Sequence, residues 1–452
     1  MKKLLSILVL SVLATGLFAE ELTVTVEQAV ELAMQNNIQV HQAERTLAQA
    51  ERSNRNSWNS ASPSISASAS LQIPLMENAM TKSKDMSLSV SGSASLRLTP
   101  SLYTSIRSAK LQLEQGEITY EDALRSVELN VRKIFYSLLL SEQTIETQKR
   151  SMEAAKRQYE TNLAKYNRGQ LSELDLFSSQ VNYESKMPAV ESQENQLVNS
   201  MESFKQLLGV NRDVKLNLKG SLEGFSNFDE EKVQVNLSNS SAIKKIEKQI
   251  ESAENQLLAT SFGAYGPSIS ITYSIGGGDS AIGNVTPASD IYVMNPFTGQ
   301  PMLKHTDESK SSFKMTNHAV TLGVAIPLDG YLPWSNGAMS IANQKDSLAS
   351  LKENLEAQKR TTQLSIENSL RIIRQAQSQL KSLEATANLA QKTYDLTQIA
   401  YNQGSRDLNS LRNAEDSLIS SKTQLQSQNY TLVNAILELE NTLGVPFGSL
   451  TK

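Results

Sequence analysis

Two stretches decide the fold: Tyr159-Glu160-Thr161-Asn162-Leu163-Ala164-Lys165-Tyr166-Asn167-Arg168-Gly169 and Tyr394-Asp395-Leu396-Thr397-Gln398-Ile399-Ala400-Tyr401-Asn402-Gln403-Gly404. Both tyrosines and the glycine recur at a constant offset of 235. The same offset carries Leu208-Gly209-Val210 onto Leu443-Gly444-Val445. Upstream, Pro63-Ser64-Ile65-Ser66 returns as Pro267-Ser268-Ile269-Ser270 at offset 204, so the second copy holds a longer insertion. A repeat on this scale organises the chain before any local reading does. The expected division is a leader over residues 1–19, a first repeat over 20–220 and a second over 221–452.

Each repeat reads as helix, strand pair, very long helix, turn and returning helix. Leu124, Val131, Leu138, Ile145, Met152, Tyr159 and Tyr166 follow one another at seven-residue steps, as do Ile366, Ile373, Leu380, Ala387, Tyr394 and Tyr401. The returning arms repeat the step through Leu176, Tyr183, Val190, Leu197 and Phe204, and through Leu411, Leu418, Leu425, Leu432 and Leu439. A sustained heptad keeps one seam against a partner when helices supercoil left-handedly. Proline is absent from 101 to 187 and from 334 to 445, as uninterrupted helices require. Helical hairpins are therefore expected over about 102–208 and 335–443. Leu124 to Tyr166 alone would span about 63 Å at ~1.5 Å per residue. Taken alone, the heptads fit a soluble coiled-coil scaffold without a pore equally well.

The strands separate the two readings. Apolar and small polar residues alternate strictly over about 64–75 and 86–99, and again over about 268–276 and 318–328. Strict alternation marks a half-buried strand, and the length suits a tilted strand across a bilayer. Four strands cannot close a barrel, and open edges are not tolerated in lipid. Four strands from each of three chains close as twelve, so the membrane reading demands a homotrimer. Met76–Asp85 is a short polar connection, whereas Gly276–Asn317 is long and rich in glycine and proline, which assigns it to the extracellular rim. His305 and His318 fall in or beside this connection and read as solvated.

Composition excludes most other classes. Lys2 and Lys3, the apolar run Leu4–Leu13 and the small residue Ala19 before Glu20 form the pattern of a secretory signal peptide. No later stretch approaches 20 consecutive apolar residues, as a membrane-spanning helix needs. The chain has no cysteine and a formal charge of −4, so thiol chemistry, disulfides and a basic nucleic-acid surface are not expected. The three histidines show no metal-ligand spacing, and neither a cofactor nor an enzyme is expected. Glu173 and Asp175 open a helix, where acidic residues are expected for the dipole alone.

With these residues in hand, the sequence resembles the TolC-like outer-membrane efflux family over its whole mature length. Val26-Glu27-Gln28-Ala29-Val30-Glu31-Leu32-Ala33-Met34-Gln35-Asn36-Asn37 is similar to that family's first helix, although Ile38 stands where a proline is usual. Tyr166-Asn167-Arg168-Gly169 and Tyr401-Asn402-Gln403-Gly404 resemble its helix-turn-helix tips. The resemblance implies a mixed α and β membrane fold: a trimeric 12-stranded β-barrel continued by a long α-helical coiled-coil tunnel. It also implies an outer-membrane channel of a tripartite efflux or type I secretion system, with a large periplasmic portion. Its partners would be outer-membrane lipid, a periplasmic membrane-fusion adaptor and an inner-membrane pump, with no nucleic acid. In that family a tip network holds the resting state closed, and the matching residues here are Asp175, Tyr401 and Arg406. The adaptor-docking turns would carry Tyr166, Gly169, Tyr401 and Gly404. The acidic rings of cation-selective members are missing, since Ser410 and Asn413 occupy those positions.

Overall fold

The structure is a computed structural model. It describes residues 21–76, 85–222, 225, 228, 230, 233, 237–279, 282, 285–286, 288–306 and 309–451. The expected leader and most of the short 76–85 connection lie outside these residues. The chain forms two compact units. One takes the chain up to Gln49, Glu114–Lys248 and the chain from Lys352 onward; the other takes Ala50–Leu113 and Gln249–Leu351. Each unit thus draws on both sequence repeats.

The first unit is built on helices. Strand β1 (Glu21–Val24) pairs in parallel with β4 (Lys215–Leu218), a contact no periodicity announced. Helix α1 (Val26–Asn36) opens with a capping box between Thr25 and Gln28. It breaks at Asn37 before α2 (Ile38–Arg55). The buried Asn37 side chain donates to the Leu207 carbonyl at 2.8 Å and accepts from the Gln39 N–H at 2.7 Å. One asparagine therefore caps the new helix and ties it to the end of the first hairpin.

The two hairpins are α3 (Ser101–Asn167) with α4 (Glu173–Leu208), and α6 (Asn336–Asn402) with α7 (Leu408–Leu443), and helix α5 (Ser241–Tyr265) lies between them in the chain. Their lengths match between copies, 67 and 36 residues each. Helix α4 runs on through Pro188, which removes one backbone donor from the ladder. The heptad seam is the packed face. Val131, Leu138 and Ile145 are buried on α3, Ile366, Ile373 and Leu380 on α6, and Leu432 and Leu439 on α7. All four long helical segments end or turn on a left-handed glycine: Gly169, Gly209, Gly404 and Gly444 have φ of 71°, 67°, 78° and 71°.

The second unit holds a four-stranded antiparallel sheet in the order β10-β5-β3-β2, made of β2 (Ser64–Gln72), β3 (Ser87–Leu98), β5 (Ser268–Asp279) and β10 (Lys314–Ala325). The strand expected to reach residue 75 stops at Gln72, and the one expected to reach 328 stops at Ala325. Pro74 and Pro327 follow closely, and proline cannot donate to a ladder. The other correction runs the opposite way. β5 extends through Gly276-Gly277-Gly278 to Asp279, and β10 begins at Lys314 rather than 318. A Cβ at Gly277 would stand 2.2 Å from the Lys314 carbonyl oxygen, and one at Gly278 2.5 Å from that of Leu88. These glycines mark close strand approach, not a loop. The long connection also contains strand pairs, β6 (Val285–Thr286) with β9 (Ser309–Lys310) and β7 (Ser289–Met294) with β8 (Pro301–Thr306).

The sheet's two faces differ in chemistry. On one, cross-strand serine pairs Ser64–Ser95, Ser66–Ser93, Ser68–Ser91 and Ser70–Ser89 lie at 2.6, 2.8, 2.8 and 2.7 Å between hydroxyl oxygens. Register continues this face through Thr272, Ser274 and Thr321. On the other face Ile65, Val320, Leu322 and Val324 stand 83%, 73%, 69% and 68% exposed. So much unpartnered apolar area along a sheet needs a non-aqueous neighbour.

Candidate functional site at the helical turns

The turns are built alike in both copies. The Gly169 N–H donates to the Tyr166 carbonyl at 2.8 Å and the Gln170 N–H to that of Lys165 at 2.9 Å; Gly404 and Ser405 repeat this onto Tyr401 and Ala400 at 3.0 and 2.9 Å. These bonds define a Schellman closure, which needs a left-handed residue. Ser172 then caps α4 by accepting from the Asp175 N–H at 3.1 Å, while Asp407 caps α7 by accepting from the Ser410 N–H at 2.8 Å. Hydrogen bonds from Ser410 and the neighbouring Arg406 charge hold the Asp407 carboxyl below its usual range.

Tyr401 is buried against Leu408, Leu411 and Tyr394. Its hydroxyl donates to Asn162 Oδ1 at 3.0 Å, crossing from the second hairpin to the first. Asn162 is fully buried and also accepts from Gln158 Nε2 at 2.9 Å. The Lys165 ammonium lies 5.4 Å from the Tyr401 ring centroid, within cation–π range. Burial raises the Tyr401 phenol pKa, and the nearby Asp175 charge adds to it. Asp175 thus acts on Tyr401 through its charge, with no hydrogen bond between the two among the described residues. The Asp175 carboxylate accepts from the Ser172 hydroxyl at 2.7 Å. Among the described residues of this single chain no ion pair joins Asp175 to Arg406.

Nearer the middle of the hairpins lies a second polar crossing. Lys186 on α4 donates to Ser151 Oγ on α3 at 2.7 Å and lies 3.2 Å from Glu415 Oε1 on α7. Ser151 donates to that same Glu415 oxygen. The Lys186 and Glu415 side chains are only 19% and 11% exposed. Glu415 is thus held inside the helical packing by both partners.

Sequence reading missed Asn162, Ser151 and Lys186 as members of a site. A signal existed for the first. Three residues after each seam position come Val127, Ile134, Ser141, Gln148, Ala155 and Asn162, a companion row that turns polar toward the turn. Tyr166, by contrast, is 38% exposed at the turn itself.

A sheet with a lipid-compatible face and two open edges, together with twin heptad hairpins, defines the class of outer-membrane channel proteins. The chain belongs to the outer membrane efflux protein family, whose model matches residues 29–210 and 233–445. Its fold is that of solved outer-membrane channels. The structure of CusC matches at TM-score 0.70 with 15% identity over 96% of each chain. The CmeC outer membrane channel of Campylobacter jejuni matches at 0.70 with 17% identity, over 93% of this chain and 85% of that one. The open state of the Neisseria gonorrhoeae MtrE outer membrane channel matches at 0.69 with 16% identity, over 94% and 90%. Among curated proteins, none matches the sequence. The protein is an outer-membrane channel component of an efflux system, and its family and fold are those of channels. Among the described residues no helix is long and apolar enough to cross a membrane.

Proposed function

We propose that three copies of this chain close a twelve-stranded barrel and form a passive export conduit gated at the helical turns. The carrying observation is the four-stranded sheet, whose edge strands β2 and β10 have no further neighbour among the described residues and whose apolar face is exposed. An open edge in lipid leaves backbone groups unsatisfied at several kcal/mol each. Pairing β10 of one copy with β2 of the next removes every edge.

The gate is proposed at Asp175, Tyr401 and Arg406. Within one chain Tyr401 ties the second hairpin to Asn162 of the first. The exposed Arg406 is left for a carboxylate on a neighbouring hairpin, with Asp175 as its partner through charge-assisted bonds. Tyr166, Gly169, Tyr401 and Gly404 form the docking turns for a periplasmic adaptor, through which an inner-membrane pump drives export. A Cβ at Gly169 or Gly404 would meet nothing within 4 Å, so these turns present open surface to a partner. MtrE was solved in an open state, and an opening of this kind is proposed here at the turns.

The test combines native mass in mild detergent with planar-bilayer recording. Three chains per particle and a raised resting conductance in Arg406→Ala are expected. A soluble monomer would remove the barrel; an unchanged leak in Arg406→Ala would remove the latch.

A further inference from the structure

The hydroxyl face of the sheet carries an uneven charge. Register places Ser64, Ser95, Thr272 and Thr321 in one row, Ser66, Ser93, Ser274 and Ala319 in the next, and Ser68, Ser91, Gly276 and Asn317 in a third. These rows are neutral and small. Arg97 pairs with Ser270, and Ser270 with Gly323, closing the face at the end where β3 runs into α3. Lys314, paired with Gly278, closes it at the other end. Among the described residues of these four strands, no carboxylate lies on this face. The one acidic residue, Asp279, pairs with Leu88 and belongs to the apolar face.

Arg97 is exposed, and among the described residues it makes no ion pair. A hydroxyl wall cannot neutralise it. We propose that Arg97 is a selectivity-determining residue: in the closed barrel three copies form a cationic collar at the helix-side end of the lumen, which favours anionic solutes. This rests on the trimeric channel reading above. A ring of like charges in a pore sets which ion sign is enriched there, and a low-dielectric wall around it focuses the field.

The experiment is the reversal potential of the purified trimer in a KCl gradient, with potassium and chloride as probes. At about 0.01 M salt the screening length is about 30 Å, against about 3 Å at 1 M. The wild type should favour chloride at low salt and lose the preference at high salt. Arg97→Lys should keep the ratio. Arg97→Gln should lower the chloride-to-potassium ratio about twofold, and Arg97→Glu should invert it. If Arg97→Glu fails to assemble, the neutral Arg97→Gln variant carries the test. Channels that conduct with one ratio in wild type and both substitutions overturn the collar while leaving the channel reading intact. A particle lighter than three chains with no conductance overturns the channel reading, and the collar with it.

Discussion

The two ends of the helical hairpins are closed by the same glycine motif and packed in opposite ways. At the Leu-Gly-Val end, Phe135, Phe204, Leu208, Val433 and Leu437 form one buried cluster, and Ile373, Ile436 and Leu439 anchor another. A Cβ at Gly209 would stand 2.5 Å from Asn36 Cβ, and one at Gly444 2.5 Å from the Asn239 carbonyl oxygen. At the turns, Gly169 and Gly404 face open space, and the contacts between hairpins are polar: Tyr401 to Asn162 near the turns and, further in, Lys186 and Ser151 to Glu415. Separating an apolar core exposes area at ~25 cal/mol per Å², whereas a hydrogen bond exchanged for water changes stability by only about 1 kcal/mol. The difference supports the proposed gate: it makes the Leu-Gly-Val end the anchor and the turns the joint of that proposal.

The sharpest break of that comparison is Phe135→Ala, expected to remove about 3–5 kcal/mol. Denaturant unfolding would register it, and resting conductance of the folded fraction should stay unchanged. A leak without loss of stability would reverse the assignment of anchor and joint. Glu415→Ala leaves Lys186 without its carboxylate in a mostly buried site. Breaking a fully buried pair is worth about 3–5 kcal/mol, and the residual exposure here lowers the expectation to about 2. The pairing of Lys186→Met with Glu415→Leu should recover most of it, measured by the same unfolding curves.

A third comparison uses the glycines themselves. Gly404→Ala should cost about 1 kcal/mol for its left-handed backbone alone. Gly444→Ala must also displace Asn239 and should cost about twice that. Equal effects in thermal unfolding would mean that the crowding at the anchor is not felt. The smallest effect concerns Asp122, which accepts from Ser241 at 2.6 Å and pairs with Lys245. Burial pushes its carboxyl up, but the hydrogen bonds from Lys245 and Ser241 outweigh this and hold it below the usual range. Its contribution is present above the ordinary aspartate range and is lost as pH falls through the lowered folded value. Asp122→Asn should flatten the acid limb of the stability curve by about 0.5 kcal/mol, the pair being partly exposed.

Much of the architecture was legible because it repeats. Tyr166 with Tyr401, Gly169 with Gly404 and Leu208 with Leu443 each supplied two readings of one feature, and the seven-residue seam named buried side chains such as Val131, Leu138, Ile373 and Leu439, while Met152, Tyr159 and Tyr166 toward the turn are less covered. The strand ends were less legible, since Gly276–Gly278 spells a loop locally and only the neighbouring carbonyl oxygens show why glycine is needed. The same holds for buried polar partners. Lys205 and Glu440 occupy equivalent places at offset 235, yet Lys205 donates to the Arg212 carbonyl at 2.9 Å. Glu440 instead accepts from Gly448 and Leu450 N–H groups at 2.9 and 3.0 Å. Opposite charges thus do one task, tying down the chain after each hairpin. No periodicity reveals that, because it depends on the path of the following residues.

The most direct test of the joint uses the absence of cysteine from the natural sequence. Cysteines placed by Asn162→Cys and Tyr401→Cys would be bridged with a short rigid bismaleimide, with a monofunctional maleimide as control, and conductance recorded in planar bilayers. The account predicts a channel that opens with the control reagent and stays shut when bridged. Full conductance with both reagents would contradict it, because the hairpins would then be opening somewhere other than at Asn162 and Tyr401.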